Sequence, residues 1–210
     1  MQCVLAVLVA ARGSFDEARG LLDRAQRTYD ELGLSLKRAA SMYVAYVDVL
    51  AGDAPAAEHE LRRSYEDLQR MGEKSQFSTT AALLAHTLCD QGRLAEADGY
   101  TIASEQAASR DDVASQVLWR TSRARVLADR GEAVRAESLA RTAVARAEQT
   151  DCLELRGDAL VHLAEVLGKA NRTDEAVEAL QRAILLYDEK GTAISAARAR
   201  ARLEQLPSPA

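Results

Sequence analysis

An all-α fold of stacked antiparallel helix pairs is predicted by three features of the sequence. Apolar residues make up 48% of the 210 residues but aromatic residues only 4%, which is typical of helices that pack closely through small side chains. A six-residue phrase, GRLAEA in its central copy, recurs in similar form five times, at intervals of 39 or 40 residues. Each copy opens on glycine or asparagine. Because such periods mark stacked supersecondary units, we predict one domain, 1–210, of about five helix pairs and a C-terminal capping helix.

Each helix pair is predicted to turn at the start of this phrase. Glycine and asparagine tolerate the left-handed conformation that commonly ends a helix, so one helix should end there and the next should begin. The turn residues are Gly13, Gly52, Gly92, Gly131 and Asn171, and the phrases end five residues later at Ala18, Ala57, Ala97, Ala136 and Ala176. The helix before each turn is called the A helix below, and the helix after it the B helix.

Small residues recur at two further positions of the repeat. Twelve residues before the alanine that ends the phrase stand Ala6, Ala45, Ala85, Ala124 and Ala164. Seven residues after it stand Ala25, Ser64, Ser104, Ala143 and Ala183. A small residue lets two crossing helices approach closely and interlock their neighbouring ridges. We therefore expect all these positions to be buried at helix crossings.

The helix boundaries follow from the turns and from a second set of breaks. The segments LGLS, RMGEKS, SRDD, QTDC and EKGT should end the B helices, and LPSPA should stop the last helix. Acidic first turns, as at Asp174 and Glu175, favour B-helix starts through the helix dipole. The predicted helices are 1–12, 14–32, 35–51, 55–71, 75–91, 94–109, 112–130, 133–150, 152–170, 173–190 and 192–206. The corresponding repeats are 1–34, 35–73, 74–111, 112–151 and 152–191, followed by the capping helix 192–206.

The pattern resembles the tetratricopeptide repeat family over nearly the whole chain. The clearest copy is LAEVLGKANRTDEAVEALQRAILLYDEKG, residues 163–191. The period of 39–40 residues exceeds the family's usual 34. The resemblance implies a right-handed superhelical solenoid whose A helices line a concave groove. Residues 185–206 also resemble the C-terminal repeat region of large actinobacterial signalling ATPase, cyclase or transcription-regulator proteins.

Candidate binding residues are implied by the family's groove positions on the A helices. They are Met42, Tyr43, Tyr46, His86, Asp90, Thr121, Arg125, Asp129, His162 and Glu165. One reading is a groove for a peptide or a helix; the other is a solvated face with a few buried tyrosines. If the groove binds a partner, charge reversal at Arg125 and Glu165 should weaken binding and leave the melting temperature nearly unchanged. The Lys and Asn set with which some family members grip a C-terminal carboxylate is missing, so chaperone tails are not expected partners.

No motif for catalysis, cofactor binding or metal binding is recognisable. The sequence has no phosphate-binding loop, no glycine-rich dinucleotide turn, no nucleophile elbow and no HExxH spacing. We expect no enzyme activity, no cofactor and no metal. The net charge of −5 argues against a nucleic-acid surface. Three scattered cysteines, Cys3, Cys89 and Cys152, are interpreted as reduced, buried side chains of a cytoplasmic protein.

The function predicted is a protein–protein interaction module that binds a protein or peptide, as the sensor or regulatory part of a multidomain bacterial regulator. The alternative is a stand-alone repeat protein that binds a small ligand or peptide in its groove.

No segment is long and apolar enough for a membrane span. Helix 1–12 carries Val4, Leu5, Val7, Leu8 and Val9 with almost no charge. A terminal repeat needs a polar outer face. At the N-terminal end we therefore expect either a longer array of repeats or a homodimer through 1–12 and 14–32. At the C-terminal end the arginines of 192–206 should supply such a face.

Overall fold

The computed structural model describes residues 1–33 and 41–206, and all regular structure in these ranges is α-helical. Its helices are α1 (Gln2–Ala11), α2 (Phe15–Glu31), α3 (Ser41–Ala51), α4 (Ala54–Met71), α5 (Ser75–Asp90), α6 (Leu94–Ala107), α7 (Val113–Asp129), α8 (Ala133–Ala147), α9 (Leu153–Lys169), α10 (Thr173–Lys190) and α11 (Ala193–Gln205). The odd-numbered helices up to α9 are the A helices and the even-numbered ones are the B helices. Residues 35–40 of the predicted helix 35–51, and most of the LPSPA tail, lie outside the described residues.

The turns between A and B helices have the predicted backbone conformation. Gly13, Gly52, Gly92 and Gly131 have φ angles between 75° and 93°, and Asn171 has a φ of 59°. An asparagine can take the glycine's place at this point because its short polar side chain tolerates the left-handed region. The sequence prediction of five such turns is confirmed.

Helix packing rests on the predicted small residues. Every alanine that ends a repeat phrase is completely buried, as are Ala6, Ala85 and Ala124, and the serines Ser64 and Ser104 take the same buried position as the alanines on other B helices. Each A helix packs on its own B helix, and neighbouring A helices such as α5 and α7, or α7 and α9, pack side by side. The apolar core therefore runs along the stack as linked clusters, and the fold is an all-α right-handed solenoid.

The single tryptophan and the three cysteines differ in how far they are buried. Trp119 is only 3% exposed and packs in the core, with the guanidinium groups of Arg120 and Arg123 at 4.1 and 4.9 Å from its ring centroid. Cys3 and Cys89 are buried as expected, but Cys152 is exposed. Cys152 immediately precedes α9, where it stands as the N-cap residue outside the helix packing.

The C-terminal helix does not simply cap the last repeat. Ile194 of α11 packs with the core cluster formed by α1, α2 and α3, and Leu203 and Leu206 pack on the cluster of the last repeats. Helix α11 therefore extends from the first repeat to the fifth. Its arginines are expected from the sequence to form an outward polar face; Arg198 and Arg202 keep partial exposure, but both reach toward the A helices.

Candidate functional site

Helix α11 lies along the concave side of the solenoid, close to the C-terminal ends of the A helices. The Arg198 guanidinium donates hydrogen bonds of 2.9 and 3.0 Å to the carbonyl oxygens of Val49 and Leu50, in the last turn of α3. Arg202 extends to Glu165 of α9, with Nη1 3.7 Å from Oε2. The last carbonyls of a helix have no partner within the helix and carry partial negative charge. Arg198 thus supplies a cation that α3 lacks in its own last turn.

An ion network beneath Arg202 joins three neighbouring A helices. Arg125 of α7 donates to Asp90 of α5 at 2.8 Å and to Glu165 of α9 at 3.1 Å. The Arg125 side chain is only 5% exposed, whereas Asp90 and Glu165 keep 33% and 26% exposure. A buried guanidinium is stable only when its charge is paired and its donors are used. The network therefore holds α5, α7 and α9 in register at this point.

Two histidines lie beside this network. The rings of His86 and His162 are edge-to-face with centroids 4.8 Å apart. His86 Nε2 is 3.4 Å from Asp90 Oδ2, and His162 Nδ1 is 3.9 Å from Glu165 Oε2. Burial lowers the pKa of His162 to about 4 and also lowers the pKa of His86, although the adjacent carboxylates act in the opposite direction. Both imidazoles are therefore neutral at pH 7.

The carboxylates of the network are correspondingly strong acids. Burial alone would raise the pKa of Asp90, but His86 and Arg125 lower it to about 2. The pKa of Glu165 is also lowered, because contacts with His162 and Arg125 outweigh its burial. With both carboxylates ionised and both imidazoles neutral, neighbouring cations compensate the negative charge at this end of the concave side.

A cavity of about 120 Å³ opens between these A helices and α11. Its walls include Tyr46, His86, Asp90, Thr121 and His162, which are five of the residues proposed from the sequence. Arg125 and Glu165 lie next to it, in shallower depressions that share Arg202 with the cavity. Seven of the ten proposed residues thus come together, although Thr121, Arg125 and His162 are buried rather than presented to solvent.

The other three proposed residues lie away from this cavity. Met42 packs at the edge of the core cluster around α5, and Tyr43 packs against Cys3 and Ala25 of the first repeat. Asp129 is exposed and faces Lys169, whose Nζ lies 3.3 Å away. Their repeat positions are equivalent to those of the other residues, but the repeats differ in what packs on them.

Several residues of the cavity wall are not predicted by the sequence pattern. Glu154 and Asp158 come from α9, Tyr187 from α10, and Ser195, Arg198 and Arg202 from α11. Glu154 and Asp158 are spaced by four, as are Arg198 and Arg202, so each pair shares a helix face. That spacing is the available signal, but it does not show that α11 returns to the concave side.

Metal-binding and membrane-spanning features are absent from the part of the chain that the structure describes. Within 1–33 and 41–206, no three His, Cys, Asp or Glu side chains are grouped so that they could hold a metal ion. None of the described helices is both long and apolar enough to cross a membrane.

Solved structures with similar folds are repeat proteins of the tetratricopeptide-like type. One, described as a kinesin light chain of Podosopora anserina with nearly identical TPR-like repeats, has a TM-score of 0.58 and 18% identity over 90% of this chain and 94% of its own. Another, BtubC (BKLC) from P. vanneervenii, has a TM-score of 0.60 and 17% identity over 100% of this chain and 82% of its own. Neither a protein-family model nor a curated protein matches the sequence. At these identities the similarity shows the fold, which is a TPR-like α-solenoid.

Proposed function

We propose that this chain is a non-catalytic interaction scaffold whose concave side binds a helix of a protein or peptide partner. The observation that carries this proposal is that the chain's own helix α11 already lies there. Two of its arginines contact the A helices: Arg198 donates hydrogen bonds to carbonyl oxygens of α3, and Arg202 lies beside Glu165 of α9. TPR-like solenoids are scaffolds for protein–protein interaction, and recognition of a helix in a groove is one of the recurring modes of peptide binding.

The chemistry of α11 indicates what a partner helix should carry. Ala196 and Ala199 are its buried residues, and Arg198 and Arg202 are its contacts with the A helices. The facing surface is acidic, with Asp90, Glu154, Asp158 and Glu165 on α5 and α9. The partner proposed is therefore an amphipathic helix with small residues on its contact face and arginines spaced by four, which competes with α11 for the concave side.

The wider context proposed is that of a bacterial regulator in the cytoplasm. The basis is the resemblance of residues 185–206 to the repeat regions of multidomain signalling ATPases, cyclases and transcription regulators. The unpaired Cys3 and Cys89 suit a reducing compartment. The intact mass of the native protein tests this part of the proposal, because a gene product without any further domain contradicts it.

Helix binding on the concave side can be tested with the full chain and a labelled peptide of residues 192–206. In the wild-type chain the tethered α11 has a high effective concentration and excludes the peptide. Substitution of Arg198 and Arg202 by alanine weakens α11 in place. We expect the peptide to bind this double variant at least about tenfold more tightly than it binds the wild-type chain, as measured by fluorescence anisotropy.

Arg200→Ala is the matched control, because Arg200 pairs with Asp188 of α10 through contacts of 2.6 and 2.8 Å and contacts no A helix among the described residues. This variant should exclude the peptide as the wild-type chain does. If the double variant binds no peptide while its circular dichroism spectrum stays helical, the concave side is not a helix-binding surface.

An association surface on α1 is a further part of the proposal. Val4, Leu5 and Leu8 are between 44% and 47% exposed, and Met1 is fully exposed. Val4, Leu5 and Leu8 form an uncharged stripe on the exposed face of α1. We propose that two copies of the chain associate through α1 and the neighbouring α2.

A further inference from the structure

The cavity beneath α11 has the size and the walls of a small-molecule site. Its volume of about 120 Å³ approaches that of the engineered apolar cavity of about 150 Å³ that binds benzene. Apolar side chains from four helices form most of its wall, among them Val49, Leu83, Val117 and Val161. Ligand sites of this kind combine an apolar wall with a few polar groups that orient the ligand.

Two carboxyl groups at one end of the cavity are not paired with a cation of the described ranges 1–33 and 41–206. Glu154 and Asp158 stand one helical turn apart on α9, and both line the cavity. Asp158 accepts a hydrogen bond of 2.6 Å from the hydroxyl of Tyr187. In the part of the chain that the structure describes, neither carboxylate forms an ion pair with a lysine, an arginine or a histidine, and Glu154 has no hydrogen-bond partner. Two like charges at this spacing, half-buried and unpaired, are unfavourable.

The ionisation of these groups reflects the missing counter-charge. Burial, together with the charge of Glu154, raises the pKa of Asp158 to about 7, and burial raises the pKa of Glu154 as well. Lys190 and Arg202 act only at a distance. A cation placed between the two carboxylates would lower both pKa values and remove the repulsion.

Aromatic rings complete this end of the cavity. Tyr46 of α3 and Tyr187 of α10 both line it, and burial together with the charges of Asp158 and Glu154 raises the pKa of both tyrosine hydroxyls. An ammonium group is attracted by carboxylates and also by the faces of aromatic rings. The opposite end, where Arg125 balances Asp90 and Glu165, presents no such unmatched charge.

We propose that this cavity binds a small organic amine, whose ammonium group lies between Glu154 and Asp158 and whose apolar body contacts the aliphatic wall. This site is distinct from the partner-binding surface proposed above, but it exists only while α11 is in place, because Ser195, Arg198 and Arg202 of α11 form part of its wall. The sequence analysis gave, as its alternative function, the binding of a small ligand in the groove. The ligand proposed here is a primary or secondary amine with a short apolar or aromatic substituent.

Calorimetric titration of the full chain with matched probe pairs tests the proposal. The probes are methylammonium, butylammonium and benzylammonium, each compared with the alcohol of the same carbon skeleton. We expect saturable binding of at least one amine and at least a tenfold weaker affinity for its alcohol. Saturable binding of no amine, or equal affinity for an amine and its alcohol, overturns the proposal.

Substitutions locate the site. Glu154→Gln and Asp158→Asn should each weaken the amine at least tenfold, because each removes one carboxylate and keeps its shape. Glu178→Gln on the exposed face of α10 is the matched control and should bind the amine as the wild-type chain does. If Asp158→Asn fails to fold, Glu154→Gln decides, since the Glu154 carboxylate has no partner to lose among the residues that the structure describes. Amine binding that both site variants retain places the amine elsewhere and overturns the proposal.

Discussion

At the scale of the residue, buried positions on the A helices have two different roles, which are helix packing and ion pairing. The alanines at helix crossings are small because another helix backbone lies against them, as the complete burial of Ala85 and Ala124 shows. Arg125 directly follows one of these alanines and is almost as buried, but it is charged and holds Asp90 and Glu165. Neighbouring positions on one A helix thus carry the packing and the electrostatics of the concave side.

The crossing alanines should be intolerant of larger side chains. Leucine at position 85 or 124 must displace a packed helix, so we expect Ala85→Leu and Ala124→Leu each to lower the free energy of unfolding by about 1–3 kcal/mol. Urea titration followed by circular dichroism measures this. Arg141→Ala is the control: Arg141 is half exposed in its pairs with Glu137 and Glu175, and its loss should cost less than about 1 kcal/mol. Equal losses for all three variants would contradict the packing assignment.

Arg125 is buried between two carboxylates, so the structure predicts that a change of these charges lowers the melting temperature, in contrast to the expectation from the sequence. Arg125→Ala leaves Asp90 and Glu165 without their shared cation. We expect the free energy of unfolding to fall by about 2–4 kcal/mol, somewhat below the full cost of breaking a buried pair because both carboxylates keep some solvent. Thermal melts followed by circular dichroism measure this loss. Arg130→Ala, which breaks an exposed pair with Asp98, should lower the free energy of unfolding far less.

The raised pKa of Asp158 predicts a pH dependence of stability. Its pKa is about 7 in the folded chain against an ordinary value of 3.8, so the unfolded chain loses the proton first as pH rises. The contribution of Asp158 to stability is therefore fully present below about pH 4 and is lost between about pH 4 and 7. Relative to Asp158→Asn, the wild-type chain should lose about 3–4 kcal/mol across this interval. A constant difference between the two unfolding free energies from about pH 4 to 7.5 would refute the assignment.

At the scale of the element, the first and last helices differ in what covers them. Helix α11 is held by Ile194, Arg198 and Arg202 against other repeats. Helix α1 packs one face on α2 and α3 and leaves Val4, Leu5 and Leu8 exposed. An exposed apolar stripe of this kind favours association with a second surface.

Leu5→Glu together with Leu8→Glu should therefore change the assembly of the chain. Both side chains are nearly half exposed, so the charges can be hydrated in a monomer but not in an apolar interface. We expect light scattering to show a dimer or larger species for the wild-type chain and a monomer for the double variant. A wild-type chain that stays monomeric at high concentration, with α1 protected from hydrogen exchange, would sink the proposed dimer.

At the scale of the whole molecule, α11 links the two ends of the stack. Each repeat of a solenoid contacts mainly its neighbours, so small changes between repeats can add up and change the curvature of the superhelix. Here Ile194 packs with the first repeat while Leu203 and Leu206 pack with the last ones. This connection between distant repeats limits that flexing and supplies part of the cavity wall.

Release of α11 should therefore open the solenoid. We expect Ile194→Asp with Arg198→Ala to increase the radius of gyration measured by small-angle X-ray scattering, while the helix content by circular dichroism changes little. Arg200→Ala and Glu204→Gln, on the exposed side of α11, should leave the radius unchanged. An unchanged radius for the first variant would show that the curvature is set by the repeats alone.

The sequence by itself determined the repeat, its turns and its buried small residues, because these depend on local backbone conformation and on nearest-neighbour packing. A glycine or asparagine with positive φ and an alanine at a helix crossing leave a signal at a constant interval, as Gly92 and Ala97 do. Only the tertiary structure decided where α11 and its charged side chains meet the A helices. The distance in sequence between Arg198 and Val49, or between Arg202 and Glu165, carries no periodic signal. These contacts depend on the curvature of the whole stack, which sums small rotations between many repeats and brings α11 back across the A helices.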